Sequence, residues 1–140
     1  MSNPDRPQAP GYLSNLMARL FHEVSGEGLE PLGIAPAMFP LLVELWFGDG
    51  PVTRQSLVAS QEMGAGDVDA LVRAMVDAGL IEAGESLQLT QKGAGARDQA
   101  VAAARRANAA AAGALSEAEM GVFMGMMNRV IEGLLAAKGR

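Results

Sequence analysis

From Tyr12 onward, apolar residues recur every three or four positions: Leu13, Leu16, Met17, Leu20, Phe21 and Val24. That period predicts an amphipathic helix over roughly residues 12–25, with Gly26 and Gly28 as its stop. Residues 1–11 hold Pro4, Pro7 and Pro10 and almost nothing apolar. Such a segment cannot bury enough surface to offset its ordering entropy, so a disordered tail is expected there. A second apolar run spans Met38 to Phe47. Pro36 suits its first helical position, and Pro40, one turn further in, predicts a distorted first turn. Gly48-Asp49-Gly50-Pro51 reads as a loop.

Thr53 fits the N-cap of a short helix carrying Leu57 and Val58, and Gly64-Ala65-Gly66 separates it from a run in which Val68, Leu71, Val72, Met75 and Val76 share a face. Gly79 stands where a left-handed residue ends a helix. Two short helices across a tight turn are predicted. Leu80-Ile81, a turn at Ala83-Gly84-Glu85, and the alternating Leu87-Gln88-Leu89 then predict a small hairpin, marginal on its own. Thr90 can cap a long alanine-rich helix over about 91–112, whose smooth face packs only where another backbone comes close. Gly113 ends it. Ser116 with Glu119 forms a capping box, with Leu115 and Met120 as a hydrophobic staple. The helix that follows carries Val122, Phe123, Met126, Met127, Val130, Ile131, Leu134 and Leu135 on one stripe, which a chain of this size cannot easily hide.

Composition narrows the function more than the fold. The chain has 140 residues, 49% of them hydrophobic, which suffices for one domain with a real core. There is no cysteine and a single histidine, His22, so disulfides, thiolate metal sites and a zinc site are not expected, and no cofactor is. The net charge of −5 argues against a general polyanion binder. No signal segment is visible and no stretch reaches eighteen uninterrupted apolar residues, so a soluble, cytoplasmic protein without a membrane partner is expected. No nucleophile with a base, no paired carboxylates, no phosphate loop and no metal-ligand spacing is evident; the chain does not read as an enzyme.

The predicted order is helix, helix, helix-turn-helix, hairpin, long helix, terminal helix, and several short motifs fall along it in sequence. Gly33-Ile34-Ala35-Pro36 is followed by Phe39, Leu42 and Leu45; Gly50-Pro51-Val52-Thr53 leads into the helix-turn-helix; Leu71-Val72 is followed by Met75 and Gly79-Leu80-Ile81; Leu89-Thr90-Gln91-Lys92-Gly93 follows the hairpin; and Leu115-Ser116 precedes Glu119. In this order and spacing, over about residues 12–136, they resemble the MarR family of transcriptional regulators. The resemblance implies a mostly α fold with a small β-hairpin wing: a winged helix-turn-helix domain (33–93) between an N-terminal dimerisation helix (12–32) and C-terminal dimerisation helices (94–140). It further implies a homodimer on double-stranded DNA, a repressor role, and release by a small lipophilic or phenolic effector.

For the homodimer interface the expected residues are Leu13, Leu16, Met17, Leu20 and Phe21 on the first helix, and Phe123, Met127, Ile131 and Leu134 on the last. For DNA they are Thr53, Arg54, Gln55, Gly66, Asp67, Asp69, Arg73 and Lys92, because a helix-turn-helix places the start of its second helix in the major groove. His22, Met38, Phe39 and Trp46 either line an effector cavity, with an imidazole or indole N–H as orienting donor, or are ordinary core and interface residues. The methionines Met120, Met124, Met126 and Met127 read as interface filling, as an adaptable binding surface or as an oxidation sensor.

The chain departs from the family where DNA would be read. The second helix of the reader offers Gly66, Asp67, Asp69, Ala70 and Ala74, with Arg73 as its one cation, and Glu82-Ala83-Gly84-Glu85-Ser86 replaces an arginine-bearing wing. Residues 50–93 hold three bases against six acids, a net of −3 per subunit. Counterion release by Lys and Arg drives general DNA affinity, so weak binding is expected. Asp67 and Asp69 also stand where acids favour the positive end of a helix dipole. An alternative reading is therefore a winged-helix dimer that has lost operator binding and serves as a ligand-binding or protein-interaction module.

Overall fold

The computed structural model describes residues 5–139. Helix α1 runs Pro10–Leu29, starting with proline at its first position and passing straight through Gly26 and Gly28. The expected stop at those glycines is thus displaced by one turn, and the helix begins inside the expected tail, whose residues 1–4 lie outside the described part. Gly28 is helical because of what it faces. A Cβ there would stand 2.7 Å from the Ala103 Cβ, so the glycine lets α1 lie directly on the alanine-rich helix. Short 3₁₀ turns at Glu30–Leu32 and Pro36–Met38 lead into α2, Phe39–Phe47. The predicted distortion takes this form: Pro40 comes to rest in the first turn of α2, where its missing N–H has no intrahelical partner.

Helices α3 (Arg54–Gln61) and α4 (Ala65–Asp77) form the helix-turn-helix, joined by Glu62, whose backbone is left-handed at φ 53°. Strands β1 (Ile81–Ala83) and β2 (Leu87–Leu89) pair antiparallel, with Ile81 opposite Leu89 and Ala83 opposite Leu87. Val52 adds a bridge to Leu87, its carbonyl accepting from the Leu87 N–H at 2.7 Å. That contact anchors the hairpin to the segment before α3, which the alternation alone did not reveal.

The expected helix over 91–112 is two: α5 (Gln91–Gly95) and α6 (Arg97–Ala112), meeting at Ala96. Thr90 caps the first, as predicted, and α6 buries Ala100, Ala103 and Ala107. Helix α7 (Glu117–Lys138) opens on the Ser116–Glu119 capping box.

One core gathers Leu29, Leu41, Leu42, Leu57, Val68, Val72, Met75, Leu80 and Ile81, and no polar or charged residue is buried among the described residues. The reader's inner faces, the wing base and the α1–α6 pair all meet there. α7 does not join it. None of its 22 residues is buried, and Val122, Ile131 and Leu134 are 57%, 51% and 66% exposed. By length and composition α7 is apolar enough to cross a membrane. However, Asn128, Arg129 and Glu132 fall near its middle, where a charge costs about 3 kcal/mol in a bilayer.

Candidate nucleic-acid interface

The reader is shaped by one hydrophobic stripe. Val68, Val72 and Met75 pack α4 inward with no exposure, which turns Gly66, Asp67, Asp69, Ala70, Arg73 and Asp77 outward. Thr53 caps α3 through a reciprocal box. Its hydroxyl accepts from the Ser56 N–H at 3.0 Å, and its own N–H donates to Ser56 Oγ at 2.9 Å. Arg54 therefore sits at the first helical position and Gln55 beside it, both exposed. Arg54 Nε meets Asp69 Oδ1 at 3.2 Å. Together with Val72, Arg73, Val76 and Ala83, these two line an open hollow of about 430 Å³ between the helix-turn-helix and the wing.

Lys92 is placed differently from the other cations. Its ammonium donates to the Ala78 carbonyl at 2.6 Å, at the end of α4 where the helix dipole is negative. Gly33 and Gly79, left-handed at φ 75° and 78°, both border this side chain. The neighbouring residues complete a clasp. The Thr90 hydroxyl donates to the Gly79 carbonyl, the Thr90 N–H donates to the Leu80 carbonyl at 3.0 Å, and the Gly93 N–H returns to Thr90 Oγ1 at 3.0 Å. Gly93 has no room for a side chain, since a Cβ would lie 2.9 Å from the Leu80 carbonyl carbon. The Leu-Thr-x-x-Gly motif thus fixes how α4 ends against the wing. Its spacing was legible in the sequence; its work on the three residues after α4 was not.

The four residues expected either to line an effector cavity or to be ordinary core and interface residues divide between surface and core. His22 is exposed on α1, and Met38 belongs to the core. Phe39 meets Trp46 edge-on with ring centroids 5.9 Å apart, and the Trp46 indole N–H donates to the Gly93 carbonyl at 2.9 Å. That donor is spent inside the fold. The expected interface residues divide between half-buried (Leu13, Leu16, Phe21, Phe123, Met127) and exposed (Met17, Leu20, Ile131, Leu134). An apolar groove of about 380 Å³ runs along the start of α7, lined by Leu115, Ala118, Val122, Phe123 and Met126 with Glu119 at its edge. Hydrogen bonds from the Ser116 backbone and side chain hold the Glu119 carboxyl below its ordinary pKa. No group of three or more metal-ligating side chains occurs among the described residues.

Among the described residues, seven α-helices with a two-stranded wing between the fourth and fifth give an arrangement with solved counterparts. A MarR transcriptional regulator from Methanosarcina mazei Go1 superposes with a TM-score of 0.76 at 18% identity, over 90% of this chain and 94% of its own. The fold is that of the MarR-family regulators. The MarR family protein of Mycobacterium tuberculosis, solved in complex with DNA, shares the MarR fold at TM-score 0.66 and 21% identity, over 89% of this chain and 98% of its own. CouR from Rhodococcus jostii RHA1, solved bound to p-coumaroyl-CoA, gives 0.74 and 15%, over 91% and 95%. No family model matches the sequence, and no curated protein does. The likeness to these solved MarR proteins lies in the fold.

Proposed function

We propose that the chain is a homodimeric transcriptional regulator of the MarR type that binds double-stranded DNA through α3, α4 and the wing, with an affinity kept low by its own acids. The observation that carries this reading is the outward face of α4, held rigidly by a fully buried inner face and a clasped C-terminus in a fold that a DNA-bound protein shares. Arg73 contacts phosphates, Arg54 does so only to the extent that Asp69 releases it, and Gln55 and the exposed start of α4 at Gly66 approach the groove. Lys92 supports α4 from behind. Binding at an operator represses, and a small lipophilic or phenolic ligand releases the protein. Selection from random duplexes tests this: a two-fold symmetric motif is expected, with half-sites about one DNA turn, roughly 34 Å, apart. Enrichment of no motif overturns it.

The second reading, a winged-helix dimer serving as a ligand-binding or protein-interaction module, is favoured by one observation. The surface that would meet phosphates carries three bases against six acids, and one of the bases is already ion-paired. Both readings need the dimer. α7 supports it, because an unburied helix with Val122, Ile131 and Leu134 facing solvent exposes more apolar surface than monomers usually carry. Sedimentation is expected to give twice 14.5 kDa, and the paired substitutions Ile131→Glu and Leu134→Glu to return the monomer. A wild-type monomer at micromolar concentration, or recovery with membranes, overturns the dimer.

A further inference from the structure

The two exposed arginines of the reader differ in what they face. Arg54 Nε is held by Asp69 Oδ1 at 3.2 Å, whereas Arg73, one turn beyond Asp69 on the same face of α4, has no ion pair among the described residues. Asp69 cannot be assigned to the helix dipole. Gly64 is the N-cap of α4, which puts Asp67 in the first turn and Asp69 in the second, and the dipole effect fades within the first turn. Both partners are about half exposed, at 46% and 53%, so the pair stands on the surface that approaches a duplex rather than beneath it.

We propose that Asp69 is an affinity-setting residue of the reader: its carboxylate occupies the edge of the Arg54 guanidinium that a DNA phosphate would take, and so withholds Arg54 from counterion-releasing contact. This rests on the reading of α3 and α4 as a DNA-binding surface. A phosphate oxygen and a carboxylate oxygen compete for the Nε N–H, and although the Nη donors stay open, the carboxylate already neutralises the cation, so a duplex gains the full fork and charge of Arg54 only by displacing Asp69. The term withheld is sequence-independent, so its loss lowers retention on every duplex alike and leaves base-edge contacts to decide where the protein stays.

The test is fluorescence anisotropy of the full-length protein on a labelled duplex of mixed sequence, across a salt series, with circular dichroism to confirm the fold. Asp69→Asn, with Asp69→Ser as a second variant, is expected to tighten binding about tenfold and to steepen the log–log salt slope by about 0.9, the value of one added phosphate contact. Arg54→Gln alone changes little, and Asp69→Asn combined with Arg54→Gln falls back to the Arg54→Gln level. Asp67→Asn, which removes an equal charge two residues away, gives a smaller gain and no added slope. An unchanged Asp69→Asn, a gain that survives removal of Arg54, or an equal gain from Asp67→Asn overturns the proposal. If those results come with binding that Arg73→Gln abolishes, the DNA-binding reading stands alone. If wild type and Asp69→Asn, both folded, retain no duplex at the lowest salt, both fall.

Discussion

The Trp46 indole N–H donates to the Gly93 carbonyl oxygen at 2.9 Å, a hydrogen bond between residues 47 positions apart that joins α2 to α5. On its other side Gly93 lies against the Leu80 backbone, so one small residue couples the long-range contact to the end of α4. Trp46→Phe keeps the ring contact with Phe39 but leaves the Gly93 carbonyl without its donor, and should cost about 1–2 kcal/mol of stability. Gly93→Ala should cost more, about 3 kcal/mol, because the new methyl meets backbone atoms that cannot swing aside. Urea unfolding of the two variants checks the order; a smaller loss for Gly93→Ala than for Trp46→Phe contradicts it.

Lys92 and Arg73 separate support from contact. Because the Lys92 ammonium is bonded to the Ala78 carbonyl, Lys92→Met should lower stability by about 1 kcal/mol while leaving the salt slope of DNA binding where it was. Arg73→Ala should do the reverse, with stability nearly unchanged and the slope shallower by about 0.9. Denaturant titration and salt-dependent anisotropy on the same preparations read both quantities. A slope change in Lys92→Met would mean that the lysine leaves Ala78 to reach a phosphate.

Much of this architecture could be read from the chain, because capping and turn chemistry act within a few residues. Thr53, Thr90 and Ser116 cap the helices they precede, Gly79 is left-handed, Gly113 ends α6, and the wing forms between Ile81 and Leu89. What local pattern could not supply was contact at a distance. Gly28 looked like a helix stop because its partner Ala103 is remote in sequence, and the Trp46 N–H looked available because Gly93 is equally so. The split at Ala96 was hidden for another reason: alanine-rich sequence favours helix on both sides of the break. At the reader, charge was legible and pairing was not. Counting acids predicted a weak surface, but only the folded arrangement shows that Asp69 is held against Arg54 while Asp67 lies at the helix start.

Two glycines in α1 should respond with opposite sign to the same substitution. Gly26 has nothing within 4 Å of where a Cβ would project, so Gly26→Ala should stabilise by about 0.5–1 kcal/mol through helix propensity and a less flexible unfolded chain. Gly28→Ala places a methyl 2.7 Å from the Ala103 Cβ and should destabilise by about 1–3 kcal/mol as α1 is forced off α6. Thermal melts of both variants decide the matter. Equal shifts would mean that α1 and α6 do not lie in direct backbone contact.

The capping box of α7 carries a pH dependence whose direction follows from its hydrogen bonds. The Glu119 carboxylate accepts from the Ser116 N–H at 2.8 Å, and the Glu119 N–H donates to the Ser116 hydroxyl at 3.1 Å. The bond from the Ser116 N–H, with a smaller contribution from the Ser116 side chain, favours the ionised form and holds the carboxyl below its ordinary value of 4.5, while the bond from the Glu119 N–H only closes the box. A group whose pKa is lower in the folded state contributes stability that is complete above its unfolded value and is lost as pH falls through its folded value. The contribution of Glu119 should therefore be constant from neutrality down to about pH 4.5 and should disappear below it. Glu119→Gln can still accept from the Ser116 N–H but has no charge to lose, so its stability should be lower than wild type at neutral pH and should converge with it in acid. Parallel denaturation curves of the two proteins across that range, at a concentration that holds the oligomeric state constant, provide the check. A gap between them that widens in acid would put the proton on a different carboxylate.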